Sequence, residues 1–383
     1  YSLTVDGVTV TDDTSSDSTL STTQVATDLT SGLNSGLTGF TIARNGPVIH
    51  IKKSDGSNFS IDGNDTQGNT QMTIVKDTIQ RFTDLPTVSP NGYIVEVKGD
   101  ENTDFDNYYV KFVTNNGNAF EEGQWEECVS PGIEFKFDYS TMPHVLIRQA
   151  NGDFRFAKVD GDTYSFLNQT GEYGQVNTQV TIQSDNHNLT TGDLIEVNFT
   201  SGGSSGSQFD YEIFPVTVVN SDIFAIYFPT GTSGSSNGNL RFAPASYSLP
   251  KWGERTVGDL DSAPNPSFIG SKINNVFFFR NRLGFLSDDN VVLSRAAEFF
   301  NFFPETVLSV IDSEPIDVAA SHTKVAILRT AVTVEQELVL FSDQTQFVLT
   351  SSTDNLTPRT ANVVVATEFE SDDDAQPVGA GSS

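Results

Sequence analysis

Apolar and polar residues alternate over short stretches of this chain, and clusters of Gly, Asn, Asp and Ser interrupt them every few positions. A period of two is the period of a pleated strand, and the interrupting residues are those that turn a backbone on itself. The pattern predicts a mainly β, multi-domain protein built from antiparallel sheets. Phe occurs 29 times against 2 Met, and bulky rings suit a half-buried pleated surface. At 383 residues and 37% hydrophobic content, the chain is long enough for roughly two to four cores.

Four units are expected. Residues 1–82 read as a small α+β unit: strands over Tyr1–Val10, then a helix over Thr22–Leu37. In that helix Val25, Leu29 and Leu33 recur every fourth position, and Ser21 or Thr22 stands ready to cap it. Asn45-Gly46 between Phe40–Arg44 and Val48–Ile51 predicts a hairpin. Residues 83–172 read as a β unit with strands at Tyr93–Val97, Tyr108–Val113, Phe135–Phe137, Pro143–Arg148 and Phe154–Val159, the last two flanking an Asn151-Gly152-Asp153 turn. Residues 174–248 differ in texture. Strands at Val180–Ile182, Leu194–Phe199, Tyr211–Val219 and Ile223–Phe228 alternate there with Gly/Ser loops, as in an inserted β module. Beyond residue 249, two groups of three short strands lie about fifty residues apart: Lys272–Phe279, Leu283–Leu286 and Val291–Ser294, then Lys324–Arg329, Glu337–Ser342 and Gln346–Thr350. They predict propeller-like blades. The strand-like start at Tyr1 and the polar finish after Asp374 suggest an excerpt of a longer polypeptide, incomplete at the C-terminus.

Several function classes are disfavoured. No stretch reaches the ~18 apolar residues of a membrane-spanning helix. A lone cysteine, Cys128, excludes a disulfide framework and a cysteine zinc site. His50, His144, His187 and His322 are scattered, without the three- or four-residue spacing of metal ligands on one helix face. No nucleophile elbow, phosphate loop or dinucleotide fingerprint is present. Glu121, Glu122, Glu126 and Glu127 surround Trp125 but do not single out the carboxylate pair of a glycosidase. Asp100, Asp104 and Asp106, and likewise Asp62, Asn64 and Asp65, lack the glycine and late glutamate of a helix–loop–helix calcium loop. The Asn188, Asn198 and Asn355 triplets follow from composition, and the acidic run Glu368–Asp374 reads as a solvated loop or a lumen rim. Catalytic, cofactor-binding and metal residues are therefore all expected to be none. Arg280 and Arg282 bracket Asn281 directly after Val276–Phe279, so they are expected to brace a turn by salt bridges.

Charge narrows the reading further. With 21 basic and 50 acidic side chains the formal net charge is −29, which disfavours a protein that grips nucleic acid by its phosphates.

The run from Ser267-Phe268-Ile269-Gly270 through Phe279-Arg280-Asn281-Arg282-Leu283-Gly284-Phe285-Leu286-Ser287 resembles the tail tubular B family, the nozzle proteins of short-tailed, podovirus-type phages. Further segments match in order: Pro90–Tyr93, Tyr108–Val110, Thr141–His144, Asn301–Pro304, Asp312–Val318 and Ser342–Thr350. The likeness is closest over 250–383, looser over 83–160 and weakest before residue 82, and 174–248 stands out as an insertion. Its His-x-Leu-Thr-x-Gly-Asp run, His187–Asp193, is similar to small β modules of phage structural proteins. The resemblance implies a structural subunit of the virion tail, not an enzyme. It implies a homo-oligomer, a hexameric ring, below an adaptor (tail tubular A) ring. Such a ring docks tail fibres and forms the distal channel through which phage DNA passes without specific binding. An alternative is a virion-associated protein that binds or degrades polysaccharide.

Overall fold

The computed structural model describes every residue except 17–20, 67, 100–106, 149–153, 165–166, 203–207, 230–231, 246, 322–325, 335, 354, 372–376 and 380–383. Asp100, Asp104, Asp106, His322, the Asn151–Asp153 turn and Asp372–Asp374 thus lie outside the described residues. Antiparallel sheets dominate, with one α-helix among the described residues. Tyr1–Phe135 and Glu254–Ser383 together form one compact unit, and Lys136–Gly253 forms another.

In the first unit the helix spans Thr22–Gly36. The Ser21 hydroxyl accepts the Gln24 amide at 3.2 Å, satisfying one of the donors that a helix start leaves open. Ala26, Leu29 and Leu33 are buried, and Leu29 and Leu33 pack on Leu3 and Val5 of the sheet Val8–Thr11, Ser2–Val5, Ile61–Asn64. The hairpin Phe40–Asn45 with Val48–Lys53 turns at Gly46-Pro47, one step later than the Asn-Gly pair suggested. Asn45 still pairs with Val48, and the left-handed φ of +55° falls on Gly46, where no side chain opposes it.

A five-stranded sheet follows, ordered Thr78–Ile79, Ile94–Val97, Tyr108–Thr114, Phe120–Cys128, Val88–Pro90, with one parallel pairing at its edge. Val95, Val97 and Val110 form its core beneath Trp125, whose indole N–H donates to the Pro86 carbonyl at 2.8 Å. Phe135–Phe137 joins no strand, contrary to expectation.

The C-terminal groups each carry one strand more than the sequence pattern suggested. Ile273–Phe279, Arg282–Ser287, Asn290–Leu293 and Ile316–Ala319 form one four-stranded sheet, and Leu328–Val334, Glu337–Ser342, Gln346–Ser351 and Ala361–Thr367 form another. Each runs up and down in sequence order, a topology compatible with propeller blades. The fourth strands follow long irregular segments, which hid them. One face of the first sheet (Phe279, Leu286, Val291, Leu293, Ile316) shares a core with Leu328, Leu338, Leu340, Phe347 and Leu349 of the second. Its other face is closed by rings: Phe268 lies 5.0 Å from Phe285, and Phe302 lies 5.3 Å from the same ring. Arg282–Ser287 is therefore buried on both sides.

The second unit centres on a seven-stranded sheet spanning Gln169–Pro244. Its order is Ile213–Pro215, Leu194–Phe199, Ser235–Pro244, Gln169–Val176, Gln179–Gln183, Ile223–Tyr227, Thr217–Asn220. The segment expected as one strand, Tyr211–Val219, is two, and they are the two ends of that order. Only Val216 separates them, so the ends lie within a few ångströms of each other. The sheet is therefore curled into a barrel-like form. Pro215, with no N–H to continue a ladder, sits at the switch. Val180, Ile182, Ile195, Val197, Phe224, Ile226, Leu240 and Phe242 fill the interior, as side chains do in small barrels.

A separate hairpin, Val145–Arg148 with Phe154–Ala157, is tied to this barrel by an ion pair between Arg155 and Glu196. Their side chains are buried, and the Arg155 guanidinium also lies 4.7 Å from the Tyr211 ring centre.

Two substitutions test this packing. The Phe277 ring covers Gly284, and a Cβ there would fall 2.3 Å from that ring. Gly284→Ala should cost about 1–3 kcal/mol by overpacking, read from denaturant unfolding. Glu196→Gln leaves Arg155 buried beside a neutral amide and should cost about 3–5 kcal/mol; an unchanged unfolding midpoint would contradict the buried pair.

Candidate functional site

Several described residues of the types that could carry chemistry make structural contacts. His187 is buried in the barrel core. Its Nε2 lies 2.9 Å from the Asn220 carbonyl, and its Nδ1 accepts the Leu189 amide at 3.0 Å. The rest of that motif is a turn: the Asp193 carboxylate accepts the Thr190 amide at 2.8 Å and hydroxyl at 2.9 Å. Those bonds hold the Asp193 pKa below the usual carboxylate range. His50 sits 5.7 Å from the Phe120 ring, and burial lowers its pKa. His144 stacks on Phe156 at 4.9 Å.

The carboxylates behave likewise. Asp65 is buried and accepts three backbone amides, from Asn69 at 2.9 Å, Gln71 at 2.7 Å and Met72 at 3.1 Å, whereas Asp62 and Asn64 are exposed. The trio therefore does not converge on a cation. Along Phe120–Cys128, Glu122 and Glu126 face solvent. Glu127 accepts the Thr306 hydroxyl at 2.6 Å and the Val307 amide at 3.1 Å, fastening this strand to a segment 180 residues away. Among the described residues no three His, Cys, Asp or Glu side chains group as metal ligands. The Cys128 thiol is buried, and desolvation pushes its pKa up to about 11, which makes it a poor nucleophile at neutral pH.

Both arginines expected to brace a turn do so, and Arg282 does it through backbone carbonyls. Arg280 and Asn281 take left-handed φ of +46° and +61°, the shape of a tight hairpin turn. Arg280 donates to the Gln336 carbonyl at 3.0 Å. Arg282 is buried, and its guanidinium donates to the carbonyls of Ser294 at 2.7 Å, Glu314 at 2.6 Å and Asp312 at 2.9 Å. It thus anchors irregular backbone by carbonyl bonds in place of a salt bridge.

What the sequence pattern did not disclose is the outer surface. The hairpin Val145–Ala157 turns Val145, Ile147 and Ala157 inward. Leu146, Phe154 and Phe156, on its opposite face, are 66%, 62% and 70% exposed. Val276 and Phe278 on the outer strand of the first C-terminal sheet are exposed, and so are Val364, Val365 and Phe369 at the outer strand of the second. Alternating hydrophobicity announces strands, but it does not say that both faces of a strand are apolar. Such patches on a folded surface mark contacts with other molecules. Charge is also uneven: Lys136–Gly253 carries 6 basic and 11 acidic residues, so the other unit holds 15 and 39. The described surface therefore combines apolar patches with an uneven charge.

The sequence profile of the family described as bacteriophage nozzle protein matches residues 1–383. The tail tubular protein gp12 of Escherichia phage T7 is 29% identical over 358 residues, which is 93% of this chain and 33% of that protein. The chain thus spans about one third of the length of this curated relative. Among solved structures, phage phi92 endosialidase aligns over 68% of this chain and 42% of its own at 12% identity. Its TM-score is 0.17, too low to bear on fold or activity. The chain belongs to the bacteriophage nozzle protein family and is a structural part of the virion tail.

Proposed function

We propose that this chain is a wall segment of the tail nozzle. Copies close into a ring, a hexamer, below an adaptor ring, and phage DNA leaves through the bore. The observation that carries this reading is the surplus of carboxylates in the unit of Tyr1–Phe135 and Glu254–Ser383, in a chain of the nozzle family. A conduit must not retain its cargo. Each phosphate neutralised by Lys or Arg releases counterions and strengthens binding, whereas fixed anions add repulsion. Salt confines that repulsion to about 8–10 Å, so the carboxylates that face the bore matter and the remainder keep a crowded assembly soluble.

In this reading the chain performs no chemistry. Its carboxylates and histidines hold turns and loops, and the tail fibres dock on its outer faces. The barrel of Gln169–Pro244, comparatively poor in charge, serves as an external decoration of the ring, for contact with the host or with a fibre.

Two measurements on the intact protein test the proposal. Negative-stain images should show hollow sixfold particles. Those particles should fail to retain duplex DNA at physiological salt in a filter-binding assay. A lone, non-assembling protein, or tight duplex binding that weakens steeply with added salt, would contradict it.

A further inference from the structure

The hairpin Val145–Arg148 with Phe154–Ala157 is a two-stranded sheet, so both of its strands are edges. An edge strand offers unpaired N–H and C=O groups, and soluble proteins usually blunt such edges with charge or cover them. Here the solvent face carries Leu146, Phe154 and Phe156. Two exposed cations, Arg148 and Lys158, flank these apolar side chains in a chain of net charge −29.

A second surface has the opposite charge. Ala361–Thr367 is the outer strand of its four-stranded sheet. From Val364 onward it is exposed, with Val364 and Val365 on the strand and Phe369 directly after it. Phe369 lies between Glu368 and Glu370. Its backbone is fixed by Gln346, whose Nε2 donates to the Phe369 carbonyl at 2.9 Å, so this apolar and acidic end is presented in a set conformation.

We propose that the paired strands Val145–Arg148 and Phe154–Ala157 of one copy seat against the edge formed by Ala361–Thr367 and residues 368–370 of the next copy. Phe154 and Phe156 would cover Val364, Val365 and Phe369, and Arg148 would face Glu370. This rests on the ring reading above and specifies its contact. A ring requires a heterologous interface, two different patches on each subunit that complement one another. These two patches meet that requirement in three respects: both are apolar, both are strand edges able to pair backbone to backbone, and their charges are opposite. A neutral or basic partner would leave Arg148 and Lys158 unused, and a nucleic acid would be repelled by Glu368 and Glu370. A second copy of this chain fits both surfaces at once.

Charge reversal in the intact protein tests the contact. Arg148 and Glu370 are exposed, so Arg148→Glu and Glu370→Lys should leave the melting temperature unchanged. Each alone should raise the protein concentration at half-assembly about tenfold or more, read by sedimentation velocity. The double variant R148E/E370K should recover most of that loss. Replacing Phe154 and Phe156 together by Ser should give the larger loss, with cooperative melting kept.

Assembly at unchanged concentration in both single variants overturns this contact and leaves the nozzle reading standing. Failure of the double variant to recover overturns the Arg148–Glu370 pairing and with it the proposed seating. Unchanged assembly with lost fibre or adaptor attachment in the Phe154/Phe156 variant assigns the hairpin to that other partner, and likewise overturns it. If the unaltered protein never assembles, the nozzle reading itself fails.

Discussion

Irregular backbone carries N–H and C=O groups that no ladder satisfies, and burying them unpaired costs about 1–3 kcal/mol each. The segments around the first C-terminal sheet are of this kind. Four charged side chains, the two arginines among them buried, resolve the problem. Arg282 donates to the carbonyls of Ser294, Asp312 and Glu314. Arg255 lies 4.8 Å from the Phe303 ring centre and donates from Nε to the Ala263 carbonyl at 2.8 Å, from Nη1 to the Glu134 carbonyl and from Nη2 to Asn265 at 2.8 Å. Glu127 and Asp317 act in the opposite sense and accept the backbone amides of Val307 and Ser267. The bonds span from 8 residues, Arg255 to Ala263, to 180, Glu127 to Val307, so the loops that close the ring-filled face of the sheet are held by directional bonds as well as by apolar contact. A guanidinium suits this task because its five donors are fixed in one plane and it stays protonated when buried.

The same bonds explain what was readable in advance. Thr22–Gly36 was legible because Val25, Leu29 and Leu33 mark a helical face and Ser21 caps it. The sheets were legible because alternation is a local signal. The fourth strands of the two C-terminal sheets were not. Ile316–Ala319 pairs with Asn290–Leu293 across a long irregular stretch, and nothing local marks it as a partner. Arg282 lies at the turn that its sequence position indicates, but it bonds to carbonyls and not to a carboxylate. A charged residue in sequence suggests an opposite charge nearby, whereas burial favours the acceptor that irregular backbone supplies in quantity. Arg155 and Glu196 stand 41 positions apart in strands of opposite origin, and no pattern of spacing links them. The apolar outer face of the Val145–Ala157 hairpin was also hidden, because alternation identifies a strand without saying which face is covered.

Net charge by itself is a poor guide to the field a polyanion would meet. Asp65, Asp193, Glu127 and Asp317 are counted among the 50 acidic side chains, yet each is engaged with amides or hydroxyls of its own fold. Such a carboxylate has part of its charge offset by the dipoles it binds. Those that project freely, such as Glu122 and Glu126 on the outer face of Phe120–Cys128, act on their surroundings with full strength. At a screening length of about 8–10 Å, an anion on the far side of a sheet contributes little to the potential at the near side. A passage lined by this protein is therefore governed by a few strand faces, whatever the total charge. The acidic surplus sits in the unit whose loops are held by buried guanidinium groups and by carboxylates such as Glu127. Repulsion between like charges tends to spread a fold apart, and bonds that fix irregular backbone oppose that tendency where the surplus is greatest.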